Sequence, residues 1–212
     1  MFNVAIFDKV RPRWIAVAVA ALAAVAGTAT AVTLHRGPQA TAAPQLPRIG
    51  GHFELLTPDG RTVTDATFRG KWLLIYFGYT FCPDVCPGTL MSMTQAMQNI
   101  GPLADKVQPI FITVDPARDT PQIMGEYVKN FDPRFAGLSG TPQQTAAAAK
   151  VFHVYYSAKR LDTNAGEYVF DHSSFIFVMD PDGNFVNLLA GDMPGHEVAK
   201  NLKRVINWGG GQ

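Results

Sequence analysis

Beyond residue 48 the apolar and polar positions are organised around one continuous run, Trp72-Leu73-Leu74-Ile75-Tyr76-Phe77. A run of that length, rich in aromatic and branched residues, predicts a strand buried on both faces, as in a parallel sheet. A second such run, Val107-Gln108-Pro109-Ile110-Phe111-Ile112-Thr113-Val114, follows about thirty residues later. Between them Leu90, Met93, Met97 and Ile100 recur at i, i+3, i+7 and i+10, which predicts a helix from Pro87 to about Ile100, ended by Gly101-Pro102. Strand, helix, strand of this length implies a right-handed parallel crossover.

The flanking pattern fills in the rest. Phe53-Glu54-Leu55-Leu56, the turn Pro58-Asp59-Gly60 and Arg61-Thr62-Val63 predict a short hairpin. A polar loop, Asp115 to Thr120, leads into a helix with Pro121 in its first turn. Thr141-Pro142-Gln143-Gln144 has the form of a capping box and starts an alanine-rich helix running to Phe152. Val154-Tyr155-Tyr156 predicts a short strand followed by a polar loop to Phe170. Ser174–Met179, the turn Asp180-Pro181-Asp182-Gly183 and Phe185–Leu189 read as a second hairpin, and a last helix spans about Gly195 to Trp208. Hairpin, βαβα, hairpin, α is the order of an α/β, thioredoxin-like fold with an N-terminal hairpin extension.

Ahead of this domain the pattern changes. Trp14–Leu34 is uncharged and built mostly from Ala and Val, and as a helix it would span roughly 30 Å, one hydrocarbon core. Lys9, Arg11 and Arg13 precede it, so residues 1–13 are expected to be a cytoplasmic tail and the rest to be exported. A cleaved signal peptide is the competing reading, with Ala29-Thr30-Ala31 as a small-residue cleavage site; the length of the apolar stretch favours a retained single-pass anchor. No cysteine lies here to carry a lipid, which excludes a lipoprotein. Residues 35–48, rich in Pro and Ala, are expected to be a linker, and 49–212 the globular domain.

The chain is 212 residues long and 47% hydrophobic, enough for one substantial core. Its formal charge is +1 overall, with five basic residues and one acid in 1–48. The globular part is therefore mildly acidic, with no electrostatic case for nucleic acid.

The only two cysteines, Cys82 and Cys86, stand directly after the central strand in Phe81-Cys82-Pro83-Asp84-Val85-Cys86-Pro87. Pro87 disfavours helical geometry at Cys86 and suits a first helical position, so Cys86 is expected at a helix N-cap and Cys82 in the loop before it. The loop between a strand's carboxyl end and a helix start is where open α/β sheets place ligand sites. Two thiols there can form a disulfide, act as a redox couple or bind a soft metal. The helix terminus favours thiolate at both, while Asp84 opposes it.

Five histidines could add a ligand. His35 lies at the anchor–linker boundary, while His52 and His196 are expected at the surface. His153 sits among apolar residues and is expected in the core. His172, in Asp171-His172-Ser173-Ser174-Phe175, precedes a buried strand at the loop that a thioredoxin-like fold brings beside the cysteines. Asp171 and Ser173 flank it as candidate partners that would fix its tautomer. Met93 and Met97, on the apolar face of the helix after Cys86, are expected to be core residues.

The stretches Tyr76–Pro87, Val114–Pro121 and Asp171–Phe175, in that order, closely resemble the SCO/SenC family of copper-binding proteins involved in cytochrome c oxidase assembly. The resemblance covers about residues 49–207, and the Leu161–Glu167 loop and Gly88-Thr89 are individual to this chain. It implies a membrane-tethered thioredoxin-like domain in which Cys82, Cys86 and His172 hold copper. Two thiolates and one imidazole suit Cu(I), whereas structural zinc would want a fourth protein ligand. Cu(II) is the alternative, with Asp171 or water as an added donor. The implied function is a copper chaperone for oxidase subunit II, tethered to a bacterial inner membrane through residues 14–34 with its domain in the periplasm, and served by an upstream copper donor or thiol reductant. The alternative is a thiol–disulfide oxidoreductase using the same cysteines; a passive copper store differs only in not passing the metal on.

Overall fold

The computed structural model describes residues 48–161 and 167–209. The predicted tail and anchor, the linker up to residue 47, and residues 162–166 of the individual loop lie outside those described. Among the described residues no helix is long and apolar enough to cross a membrane.

The two apolar runs form β3 (Trp72–Gly78) and β4 (Val107–Thr113), paired in parallel with Tyr76 opposite Phe111. Every residue of β3 is buried. Burying each large apolar side chain contributes about 1.5–3 kcal/mol, so this strand anchors the domain. Between the two runs α1 (Val85–Asn99) crosses over, burying Leu90, Met93 and Met97 as the periodicity predicts. Met93 and Met97 are packing residues, whereas Met91 is exposed. A short 3₁₀ segment, Gly101–Lys106, carries the chain from that helix back to β4.

The central sheet has five strands in the order β5-β4-β3-β8-β9. Here β5 (Ala136–Leu138) is parallel to β4, and β8 (Phe175–Met179) is antiparallel to β3. The predicted second hairpin is β8 with β9 (Phe185–Ala190). The first is β1 (Glu54–Leu56) with β2 (Thr62–Thr64), tied to the main body by backbone hydrogen bonds between Leu56 and Ser139. The arrangement is thioredoxin-like.

Side-chain parity decides which helix covers which face. Tyr76 and Phe111 point to the face that carries α1 and α2 (Pro121–Val128), whose Tyr127 packs on Phe111. Phe77 and Phe177 point the other way and meet Phe152 at the end of α3 (Pro142–Val151). The last helix, α4 (Gly195–Gly209), packs on α1. The capping box of α3 is formed in both directions: Thr141 Oγ1 accepts from Gln144 N–H, and the Gln144 side chain accepts from Thr141 N–H.

Three expectations need correction. The strand expected at Val154–Tyr156 is β6 (Tyr156–Arg160), and the polar stretch after it contains β7 (Tyr168–His172); the two pair antiparallel as a separate ribbon. Their side chains are half buried or exposed, so no clean apolar pattern marks them. Strand β5 went unpredicted because three residues carry too little periodicity. His153 is exposed, not core: it takes a left-handed conformation, φ 54°, just past α3, while its neighbours Phe152 and Val154 turn inward.

Candidate metal centre

The centre sits at the carboxyl end of β3. Cys82 lies in the loop, half buried, and Cys86 is fully buried in the first turn of α1. The helix begins at Val85 with Asp84 at its N-cap, so Cys86 is the second helical residue and Pro87 the third, not N-cap and first as expected. Proline costs no bond anywhere in a first helical turn, because those N–H groups have no intrahelical partner. The Asp84 side chain makes no capping bond. The sulfur of Cys82 serves instead, accepting from Cys86 N–H at 3.4 Å.

His172 ends β7, three residues before β8 begins beside β3. Its Nε2 lies 3.4 Å from Cys86 Sγ. The ligand atoms of Cys82, Cys86 and His172 all lie within 4.8 Å of one another, and they are the one such His, Cys, Asp or Glu group among the described residues. The other ring nitrogen, Nδ1, faces the backbone carbonyl of Ser173 at 3.1 Å, so a proton on Nδ1 frees Nε2 as a donor to metal. The tautomer therefore rests on that carbonyl, not on Asp171. Strand alternation turns Asp171 outward to pair with Lys159 at 2.9 Å, which also removes it as an added donor for Cu(II). The rings of Tyr76 and Tyr79 stand edge-on to His172 at 6.1 and 5.9 Å between centroids, fixing its plane.

The two thiols are not equivalent. Hydrogen bonding from the Cys86 thiol pulls Cys82 far below the ordinary thiol range, helped by His172 and by the backbone N–H groups of Cys86 and Asp84. The same contact, with burial, pushes Cys86 up. Expectation had thiolate favoured at both; close approach makes the first ionisation oppose the second. Asp84 acts through its backbone N–H, which favours the Cys82 thiolate.

Several supporting residues escaped the sequence reading. Gly78 shares a face with Tyr76, and a Cβ there would lie 2.7 Å from Cys86 Sγ, so glycine is what admits the buried sulfur. Asp119 is wholly buried and accepts from Thr80 N–H at 3.0 Å and from the Thr80 and Thr113 hydroxyls, fixing the start of the cysteine loop. Arg118 pairs with buried Asp115, donates to Tyr168 O at 3.0 Å, and places its guanidinium 4.8 Å from the ring of Phe81 and 3.8 Å from that of Tyr168. Its Nη2 is buried with no hydrogen-bond partner, leaving the aromatic faces as its surroundings. Strand parity could have found Gly78; nothing local marks Asp119.

Residues 41–207 match the sequence profile of SCO1/SenC. The chain belongs to that family. ScoI of Bradyrhizobium japonicum, solved with copper bound, is 46% identical, with 74% of this chain and 98% of that one aligned at a TM-score of 0.66. Arabidopsis thaliana ScoI, also with copper bound, is 37% identical over 76% of this chain and 99% of that one, TM-score 0.71. Protein sco1 of Schizosaccharomyces pombe is 42% identical over 158 residues, which are 74% of this chain but 60% of that protein. The chain thus spans about three fifths of that relative's length.

Proposed function

We propose that this protein is a membrane-anchored copper carrier. The thiolates of Cys82 and Cys86 and Nε2 of His172 hold one Cu(I), which is passed to the copper site of cytochrome c oxidase subunit II. The observation that carries the reading is the convergence of two sulfurs and one free imidazole nitrogen within 4.8 Å. That donor set is soft and low in number, which suits Cu(I) and leaves room for an acceptor's thiolate to enter. Membership in the family, whose members serve in oxidase assembly, and its copper-bound structures support the choice of metal and destination. The basic residues before Trp14–Leu34 support a single-pass anchor in a bacterial inner membrane with the domain in the periplasm. A copper donor or thiol reductant would act upstream.

One observation favours a second reading. A half-exposed, readily ionised Cys82 beside a buried Cys86 is also the layout of an attacking and a resolving thiol, as a thiol–disulfide oxidoreductase needs. His172 separates the two, because disulfide exchange needs only the sulfurs. The test is anaerobic Cu(I) titration of the reduced protein in detergent, with X-ray absorption and transfer to a subunit II fragment. One copper with two sulfurs and one nitrogen is expected, and His172→Ala should weaken binding by about tenfold or more, roughly 1.4 kcal/mol. A sulfur-only shell, or unimpaired binding and transfer by His172→Ala, would leave the oxidoreductase reading in its place.

A further inference from the structure

Cys82 Sγ accepts from the backbone N–H of Cys86, and Cys86 Sγ faces a side-chain hydroxyl. Tyr76 on β3 is fully buried, its ring stacked on Phe111 with 6.0 Å between centroids and edge-on to His172. Its hydroxyl lies 3.8 Å from Cys86 Sγ and 3.3 Å from Ser174 Oγ. Ser174 is held in turn: its carbonyl accepts from Gly191 N–H at 2.9 Å, and a Cβ at Gly191 would come within 2.1 Å of the serine hydroxyl oxygen. The seryl hydroxyl thus occupies a space that glycine leaves open.

A phenol has one proton to donate, and a metal-bound thiolate can only accept. With copper on Cys86 the direction of the chain is therefore fixed: Ser174 O–H donates to the Tyr76 oxygen, and Tyr76 O–H donates to the sulfur. A donor aimed at a ligand sulfur withdraws electron density from it. Cu(II) depends on thiolate donation more than Cu(I) does, so such a bond raises the Cu(II)/Cu(I) potential, as hydrogen bonding around a ligand sulfur does in copper sites generally.

We infer that Tyr76, held in place by Ser174, is a positioning residue that hydrogen-bonds the Cys86 sulfur and biases the site toward Cu(I) over Cu(II). This rests on the proposed copper-carrier reading. A bond to a charged sulfur at this length is worth about a tenfold change in relative affinity for the two oxidation states.

The test compares wild type, Tyr76→Phe and Ser174→Ala, each loaded with Cu(I) or Cu(II). In Tyr76→Phe the sulfur-to-Cu(II) charge-transfer band should move to longer wavelength. The Cu(II)/Cu(I) affinity ratio should move about tenfold toward Cu(II), a potential lower by about 59 mV for one electron. Ser174→Ala should move both in the same direction by less, with the His172 nitrogen still present in X-ray absorption of all three. An unmoved band and ratio in Tyr76→Phe would overturn the inference while leaving the copper-carrier reading intact. Should Tyr76→Phe fail to fold by circular dichroism, Ser174→Ala decides, and an unchanged ratio there overturns it. Wild type that takes up no copper overturns both.

Discussion

The loops after β3 and after β4 leave neighbouring parallel strands at the same end of the sheet. Each contains proline and each feeds a helix, yet they do opposite things. The first exposes its side chains: Phe81 is 60% exposed and Cys82 is half open. The second buries its two acids, Asp115 and Asp119, with Arg118 reaching back under Phe81. The proposed carrier function needs a ligand that an acceptor can approach, and half-buried Cys82 on the first loop is that ligand. The neighbouring loop supplies the rigidity, through Asp119 holding Thr80. The division of labour teaches that buried charge beside a site can serve its geometry without touching its chemistry.

That division can be broken from either side. Cys82→Ser should reduce Cu(I) affinity by three orders of magnitude or more and move the melting temperature by only a degree or two, since a half-exposed thiol carries little of the packing. Asp119→Ala should do the reverse. It strands the Thr80 N–H and two hydroxyls, costing about 3 kcal/mol, or roughly 6–12 °C for a domain of this size, with a smaller loss of affinity. Paired copper titrations and thermal melts check both. Equal stability losses in the two variants would erase the contrast.

How much of this was legible depends on how local each signal is. Strand β3, the helix after Cys86, the capping box at Thr141 and the β8–β9 hairpin are written in runs of adjacent residues. So are Cys82, Cys86 and His172, whose residue types and loop positions mark them. The β6–β7 ribbon was not legible, because its half-exposed side chains alternate weakly and its pairing joins residues on either side of a polar loop. Asp119 stood in a stretch legible only as a polar loop. Its burial is set by Thr80 and Thr113, which lie 39 and 6 residues away, and no window of sequence shows that. Cys86 as N-cap failed for a different reason: the preference against helix before proline is a bias, and a sulfur cap from Cys82 outweighed it.

A milder perturbation sits where the two loops meet the strand. Gly78→Ala would put a methyl 2.7 Å from Cys86 Sγ and 2.9 Å from the Phe111 ring. Overpacking of that kind costs about 1–3 kcal/mol. Because the conflict falls on Cys86, the damage should also appear as a changed copper–sulfur distance in X-ray absorption. A melt as high as wild type with an unchanged copper spectrum would mean the buried sulfur has room to spare.

The smallest expected effect separates the brace from the site by pH alone. Burial pushes the Asp119 carboxyl above its ordinary value of 3.8, against the hydrogen bonds from Thr80 and Thr113 and with added repulsion from Asp115. A raised folded-state value means the folded protein holds this proton more tightly than the unfolded chain does. Stability from this group is then fully present below pH 3.8 and is lost as pH rises through the folded value. Asp132 runs the other way: the Arg134 hydrogen bond lowers its carboxyl, so its contribution is present above 3.8 and lost as pH falls through the folded value. Asp119→Asn mimics the protonated acid, accepting from Thr80 N–H and Thr113 with its oxygen and donating to the Thr80 hydroxyl with its nitrogen. The variant should therefore lose the downward slope of unfolding free energy above pH 3.8 and keep the acid-side loss from Asp132. Urea melts across that range give both slopes in one series. An unchanged slope above 3.8 in Asp119→Asn would show that the buried carboxylate is ionised at no cost, and the brace would then be a charged network, not a protonated one.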